Sequence, residues 1–253
     1  MIIELTPTQW IAALVGAVFV GLAKTGFPGV GILSVVLFAC VMPARASTGL
    51  ALPLLIVADV VAVISYHRLA VWKYLIRLAP WAVLGIVVGR FAMERLNDAW
   101  AARLIGIILV VLIAVQIWRS RSEAGRRLQE HLPESRVFAG GMGLLAGFTT
   151  MVANAAGSIM TLYMLAMKLP KMQFMGTGAW YFFLLNWFKV PFSVNLGLIT
   201  RESLWLDLYL APVVIAGALL GRKLIGSINQ NTFELIALGF AFLGALRLIQ
   251  SSF

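Results

Sequence analysis

The sequence predicts an all-α integral membrane protein built from two inverted-topology repeats. Each repeat is expected to hold three long transmembrane helices and a short, Gly/Pro-interrupted pair of helices that is re-entrant or broken. Three observations lead to this fold class: an apolar composition, ten apolar segments in two sets of five, and residue matches that keep their order along both halves.

The composition is typical of a membrane protein. Of 253 residues, 61% are hydrophobic and 12% are charged, and the mean hydropathy is +0.95. Soluble domains are about half apolar and about a quarter charged. The excess of 20 Lys and Arg over 10 Asp and Glu fits basic residues that flank membrane helices, so no nucleic-acid partner is expected. One cysteine and two histidines provide neither a disulfide framework nor a metal-ligand spacing.

The apolar segments define the domain organisation. Residues 1–118 are predicted to form the first transmembrane repeat, residues 119–136 a cytoplasmic polar linker, and residues 137–253 the second, inverted repeat. The first two segments of each set are short, whereas a full crossing needs about 20 residues. The segments cover residues 9–24, 29–42, 47–66, 74–93, 99–118, 137–152, 155–167, 175–195, 205–222 and 232–250.

Matching motifs indicate a duplication. The stretches "APWAVLGIVVGR" (79–90) and "APVVIAGALLGR" (211–222) share Ala-Pro, both glycines and the terminal arginine at the same spacing. Their Gly-x-x-x-Gly pairs predict close helix packing in lipid. Upstream matches keep the same order and place Asp59 opposite Asn186: Gly21 with Gly147, Gly31 with Gly157, and Pro43 with Pro170.

The topology follows from parity and charge. Each repeat has an odd number of full crossings, so the second half is expected to insert upside down. With the linker in the cytoplasm, alternation places 13 of the 20 Lys and Arg residues inside, as the positive-inside rule favours. Both termini are then predicted to be periplasmic. The N-terminus lacks the basic region of a signal peptide, so the first span is expected to remain in the mature protein.

The first helix break, "KTGFPGVG" (24–31), is a candidate binding segment. Inverted repeats with broken helices are typical of secondary transporters, whose substrate sites lie near the membrane midplane. Helix N-termini there present N–H groups and a positive dipole end, which suit anions. The predicted ligands are a charge, a hydroxyl and three glycines: Lys24, Thr25, Gly26, Gly29 and Gly31. The alternative is a tight turn from which Lys24 reaches the membrane surface.

The second break, "TTMVANAAGS" (149–158), lies at the matching place in the other half. Here Asn154 and Ser158, with Thr149 and Thr150, place neutral donors in an apolar context. Such donors can bind an oxyanion without carrying charge, and Asn154 and Ser158 are predicted substrate ligands. The alternative is that these side chains only bond neighbouring helices to each other.

Two ionisable residues lie inside long predicted spans, where a charge is costly and indicates function. A carboxyl group in a low-dielectric environment holds a proton readily, so Asp59 is the predicted proton-coupling residue. Lys189 can attract an anion, and Asn186 lies one turn before it on the same face. Both are predicted substrate ligands. Alternatively, Asp59 and Lys189 pair with each other or with backbone groups freed by Pro191.

No enzyme site emerges from the sequence. It contains no His–carboxylate cluster, nucleophile elbow or metal spacing, so the protein is predicted not to be an enzyme and to use no cofactor or metal. It also has no ATP-binding domain. The expected driving force is therefore an ion gradient or the gradient of the substrate itself.

The stretch "GLAKTGFPGVGILSVVLF" (21–38) resembles the first repeat of the TauE/SafE family of sulfite exporters. The duplicated halves, the length and the polar central connection are similar as well, from Trp10 to Leu248. The family motif carries over to these residues of the first half: Gly21, Lys24, Thr25, Gly26, Pro28, Gly29 and Gly31. In the second half the glycines and proline are replaced, so Asn154 and Ser158 match by position only.

The resemblance implies a multi-pass transporter of the bacterial inner membrane that exports a small sulfur-containing anion, either sulfite or an organosulfonate. Alternating access coupled to protons through Asp59 is the predicted mechanism, and the expected partners are the anion and membrane lipid. The alternatives are an anion-selective channel, since re-entrant hairpins also build channels, a permease for another small anion, and a membrane enzyme or assembly subunit. Substrate identity, direction, coupling ion and oligomeric state are left open.

Overall fold

The computed structural model describes residues 5–27, 30–122, 136–167 and 169–225, together with residues 242, 246, 249 and 250. Over the continuous ranges the chain forms nine α-helices, a 3₁₀ turn at His67–Leu69, and no strand. The helices are α1 (Pro7–Thr25), α2 (Gly31–Ala39), α3 (Ala44–Tyr66), α4 (Trp72–Arg95), α5 (Asp98–Arg121), α6 (Arg136–Ala153), α7 (Ala156–Ala166), α8 (Lys171–Asn195) and α9 (Arg201–Leu224). Most of the predicted linker and of the tenth segment, 232–250, lies outside the described residues.

Six of these helices are long and apolar enough to cross a membrane: α1, α3, α4, α5, α6 and α9. The all-α membrane fold class is therefore confirmed. Helix α8 has 25 residues but carries Asn186 and Lys189 in its interior. Helices α2 and α7 have 9 and 11 residues. At about 1.5 Å per residue they are too short for a hydrocarbon core of about 30 Å.

The two helices that follow the short ones begin in the same way. Pro43 precedes α3 with φ −50° and ψ 146°, and Pro170 precedes α8 with φ −54° and ψ 146°. Proline cannot donate a backbone hydrogen bond, so it suits a helix start where the donor has no partner within the helix. The match between these prolines in the sequence therefore extends to the backbone angles.

The two halves exchange their packing partners. Helix α1 of the first half packs along α9 of the second, and α6 of the second half packs along α4 of the first. Small residues let the backbones touch, which confirms the packing role predicted for the Gly-x-x-x-Gly pairs. The equivalent contacts are Gly21 with Val214 and Gly147 with Ala82, Gly217 with Val18 and Gly85 with Leu144, and Gly221 with Leu22 and Gly89 with Phe148.

This exchange is the pattern that a two-fold relation between the halves would produce. It supports the predicted duplication, while the inverted orientation of the halves in a membrane stays a prediction. The outer faces of the long helices carry large exposed apolar side chains, such as Ile64 and Ile76, which are both 68% exposed. Such surfaces suit contact with lipid tails. Several polar side chains, among them Asp59, Asn186 and Lys189, are instead buried between the helices.

Candidate functional site

A cavity of roughly 70 Å³ lies between α1, α2, α3, α6, α7 and α8. A water molecule needs about 10–15 Å³ measured in this way, so the cavity has room for about five waters or one small oxyanion. Most of its lining is apolar. Its main polar side chains come from both halves and are Lys24, Ser34, Thr150, Asn154, Ser158 and Asn186.

The first turns of both short helices line this cavity. Gly31 and Ser34 belong to the start of α2, whereas Gly157 and Ser158 belong to the start of α7. No side chain caps the N-terminus of α2. A Cβ added at Gly157 would meet no atom within 4 Å, so the backbone there faces open space. Helix N-termini carry a partial positive charge, which favours an anion in the cavity.

Lys24 and Asp59 form a buried ion pair beside the cavity. Lys24 Nζ lies 2.8 Å from Asp59 Oδ1, and the two side chains are 10% and 0% exposed. Asn186 Nδ2 donates to the other carboxylate oxygen of Asp59 at 2.6 Å. The Lys24 ammonium also lies 3.9 Å from the centre of the Phe182 ring, a cation–π contact. Lys24 therefore points into the protein and does not reach for the membrane surface.

Lys189 is enclosed by the second half. Its ammonium donates to Thr150 O at 3.0 Å, to Thr150 Oγ1 at 3.1 Å and to Asn154 Oδ1 at 2.6 Å. These three acceptors use all three N–H donors of a lysine. Lys189 is only 1% exposed and is absent from the described cavity lining. It is therefore placed to position Thr150 and Asn154, and the predicted pairing of Lys189 with Asp59 gives way to the Lys24–Asp59 pair.

Asn154 is held by bonds on both sides of its amide group. Because Oδ1 accepts from Lys189, Nδ2 is the donor, and it donates to Thr48 O of α3 at 2.9 Å. The residue has a φ of 52°, in the left-handed region that asparagine tolerates better than most residues. This conformation ends α6 and starts the turn into α7. One amide hydrogen of Asn154 remains for the cavity.

The cavity thus presents hydrogen-bond donors to a ligand. Lys24 and Asn186 each use one hydrogen on Asp59 and keep at least one more. The Thr150 hydroxyl accepts from Lys189, so its own hydrogen is left for another acceptor. Among the described residues around the cavity, the charges of Lys24 and Asp59 cancel, and that of Lys189 remains. A net positive region with unused donors suits an anion.

Besides Lys189, two further predicted ligands lie outside the described cavity lining. Thr25 donates its hydroxyl to Ala218 O of α9 at 2.6 Å, and its own carbonyl accepts from the Tyr66 hydroxyl at 2.8 Å. Gly26 packs against the backbone of Gly221. Neither Thr25 nor Gly26 lines the cavity. Both residues form contacts between helices and do not have the role in substrate binding that the sequence predicted. Gly29 lies outside the described residues. The other predicted ligands, Lys24, Gly31, Asn154, Ser158 and Asn186, line the cavity.

Ser34 and Phe182 are among the lining residues that sequence reasoning missed. Phe182, Asn186 and Lys189 stand at the i, i+4 and i+7 spacing of one helix face, and this spacing was the available signal for Phe182. Ser34 lies one turn after Gly31, but its hydroxyl donates to Gly31 O at 2.7 Å. No pattern in the sequence distinguishes such a serine from an ordinary helix residue.

Comparison with known proteins identifies one family. The family model described as "Sulfite exporter TauE/SafE" matches residues 12–248 of the chain. No curated protein and no solved structure matches it.

Proposed function

The chain belongs to the sulfite exporter TauE/SafE family, whose members are membrane transporters of sulfite-like anions, and we propose that it exports a small sulfur-containing anion by alternating access. The observation that carries the proposal is the cavity, where Lys24 and unused amide and hydroxyl hydrogens meet the first turns of α2 and α7. The chain is a multi-pass membrane protein. Its placement in the bacterial inner membrane, with both termini periplasmic, is part of the proposal.

Size and charge support sulfite or a small organosulfonate as the substrate class. The cavity of roughly 70 Å³ admits a compact oxyanion but not a large organic acid. Oxyanions accept several hydrogen bonds at once. Donors come from both halves: Lys24 on α1, Thr150 on α6, Asn154 in the turn between α6 and α7, and Asn186 on α8. Contacts from both halves also allow a relative movement of the halves to open the site to each side in turn.

Proton coupling through Asp59 is the proposed driving mechanism. Asp59 is fully buried and touches Lys24, which lines the cavity. A carboxyl group at this position can therefore sense whether an anion occupies the cavity. Sulfite itself gains or loses a proton near neutral pH, so it can move together with a proton.

The test is sulfite flux in proteoliposomes that contain the purified protein, with and without an imposed pH gradient. We expect saturable flux, counterflow, and acceleration by the gradient. Flux that ignores the gradient would remove proton coupling from the proposal. A conductance far above carrier rates would indicate the channel alternative.

Lys24→Met is the variant that tests the site, and the expected result is loss of sulfite flux because the cavity loses its cation. Lys73→Met is the matched control, since Lys73 stands exposed at the start of α4 and outside the described cavity lining. It should transport like the natural protein. Normal flux in Lys24→Met would contradict the proposed site.

A further inference from the structure

We propose that the transported anion and the Asp59 carboxylate compete for the ammonium group of Lys24, so that each bound anion is linked to one proton taken up by Asp59. This inference rests on the proposed function and specifies how its binding site is coupled. Two observations carry it. Lys24 lines the cavity and also forms a buried ion pair with Asp59, whereas Asp59 is not part of the described cavity lining.

Among the described residues that line the cavity, Lys24 is the one with a charged side chain. Its ammonium lies 2.8 Å from Asp59 Oδ1, so part of its charge is already neutralised. An anion that enters the cavity gains the most by drawing this ammonium toward itself. The Phe182 ring, whose centre lies 3.9 Å from the Lys24 ammonium, attracts a cation over its whole face. The ammonium can therefore shift toward an anion without leaving this contact.

When Lys24 moves to the anion, the buried Asp59 carboxylate loses the cation that neutralised it. Its side chain is fully buried, and the bond from Asn186 at 2.6 Å is neutral. A buried carboxylate without a cation is strongly unfavourable. A proton from water that binds at Oδ1, the oxygen that Lys24 leaves, forms an O–H bond and removes the negative charge. Anion binding and proton binding therefore favour each other, and the linkage is reciprocal.

The other charges near Asp59 do not replace Lys24. Within the described residues, the charges that act on Asp59 are those of Lys24 on α1 and Lys189 on α8. Lys189 has all three donors committed to Thr150 and Asn154. Of the other helices packed on α3, α2 has no ionisable side chain. Neither Asp207, on the buried face of α9, nor any other described ionisable residue of α5 or α9 forms an ion pair or hydrogen bond with Asp59.

The experiment measures sulfite binding to the purified full-length protein at a series of pH values, in the natural protein and in Asp59→Asn. The titration of sulfite itself is the same in both and cancels in the ratio of the two affinities. We expect the affinity of the natural protein, relative to Asp59→Asn, to fall as pH rises, by about tenfold per pH unit where Asp59 is ionised in the free protein and protonated in the complex. A ratio that stays constant with pH would overturn the inference.

Asp207→Asn is the matched control. Asp207 is another buried carboxylate in a membrane helix, and its oxygens have no hydrogen-bond partner within the described residues. Its variant should keep the pH dependence of the natural protein. Loss of that dependence in Asp207→Asn, with its retention in Asp59→Asn, would assign the proton to Asp207 and overturn the inference.

A second measurement needs no variant. Sulfite is added to the natural protein in weakly buffered solution, and proton uptake is compared with that of protein-free sulfite. We expect about one extra proton for each bound anion. Binding without proton uptake would overturn this inference and leave the transport proposal intact. Absence of sulfite binding at any pH would overturn both.

Discussion

The two halves of the molecule share a scaffold but not the chemistry of their helix breaks. By the register that matches Gly21 with Gly147, Lys24 of the first half corresponds to Thr150 of the second. By the register that matches Pro43 with Pro170, Lys189 of the second half corresponds to Ala62 of the first. Each half therefore contributes one lysine to the surroundings of the cavity, but the two lysines lie on helices that do not correspond.

This difference separates two tasks that a cation can perform. Lys24 keeps donors for a ligand because its fixed partner is a single carboxylate, whereas the ammonium of Lys189 is saturated by Thr150 and Asn154. In our proposal the first lysine exchanges partners, whereas the second holds a backbone carbonyl, a hydroxyl and an amide in place. The two matched halves thus carry different buried charges, and we propose that only the charge of Lys24 responds to a ligand.

The largest effect is expected from breaking the shared scaffold. Gly147→Leu places a side chain against the backbone of Ala82, which cannot move aside, so we expect little folded protein. Gly21→Leu should do the same against Val214, because the two contacts are equivalent. Gly141→Leu is the control on α6, since a Cβ there meets nothing within 4 Å. Monodisperse yield in detergent is the measurement, and a well-folded Gly147→Leu would disprove the close packing.

The next effect separates the two lysines. Lys24→Met leaves the buried Asp59 carboxyl without its cation, so it must either stay charged or take up a proton, and we expect a loss of about 3–5 kcal/mol in the free energy of unfolding. Most of it should return in the double variant Lys24→Met/Asp59→Asn, in which neither member of the pair is ionisable. Lys189→Met leaves only neutral acceptors, and about 1–3 kcal/mol is expected. Denaturant unfolding in detergent gives these values. Equal losses for the two single variants would remove the distinction between the lysines.

A smaller effect concerns the turn between α6 and α7. Asn154→Gly and Asn154→Ala both lose the bonds to Lys189 and to Thr48 O. Only alanine also meets the steric cost of a φ of 52°, so Asn154→Ala should be less stable than Asn154→Gly by about 1 kcal/mol. The difference between their unfolding free energies is the readout. If alanine were the more stable of the two, the left-handed conformation would be refuted.

The smallest effect is expected at the aromatic neighbour of Lys24. Phe182→Leu removes the cation–π contact but keeps an apolar side chain, and a loss of about 1 kcal/mol is expected. Phe188→Leu on the same helix is the control, because its ring contacts Phe192. The comparison uses the same unfolding measurement. A larger loss in Phe188→Leu would show that general packing, and not the cation, explains the result.

The sequence by itself determined the membrane class and the order of the described helices, and it predicted a duplication that the packing of the halves supports. These follow from local properties. Apolar runs predict helices in lipid, prolines predict where helices begin, and glycines at equivalent positions predict close contacts between helices. The sequence also singled out Asp59, Lys189 and Asn186, because a polar group inside an apolar span is conspicuous without knowledge of its neighbours.

Only the tertiary structure decided which of these groups meet. Charges attract at any separation along the chain, so the pattern of residues could not choose between Lys24 and Lys189 as the partner of Asp59. The choice follows from the packing of α1 and α8 around α3, which brings one ammonium to the carboxylate and encloses the other. The same packing places Thr25 and Gly26 against α9. The sequence could not predict this, because a hydroxyl and a glycine suit a contact between helices as well as they suit a ligand.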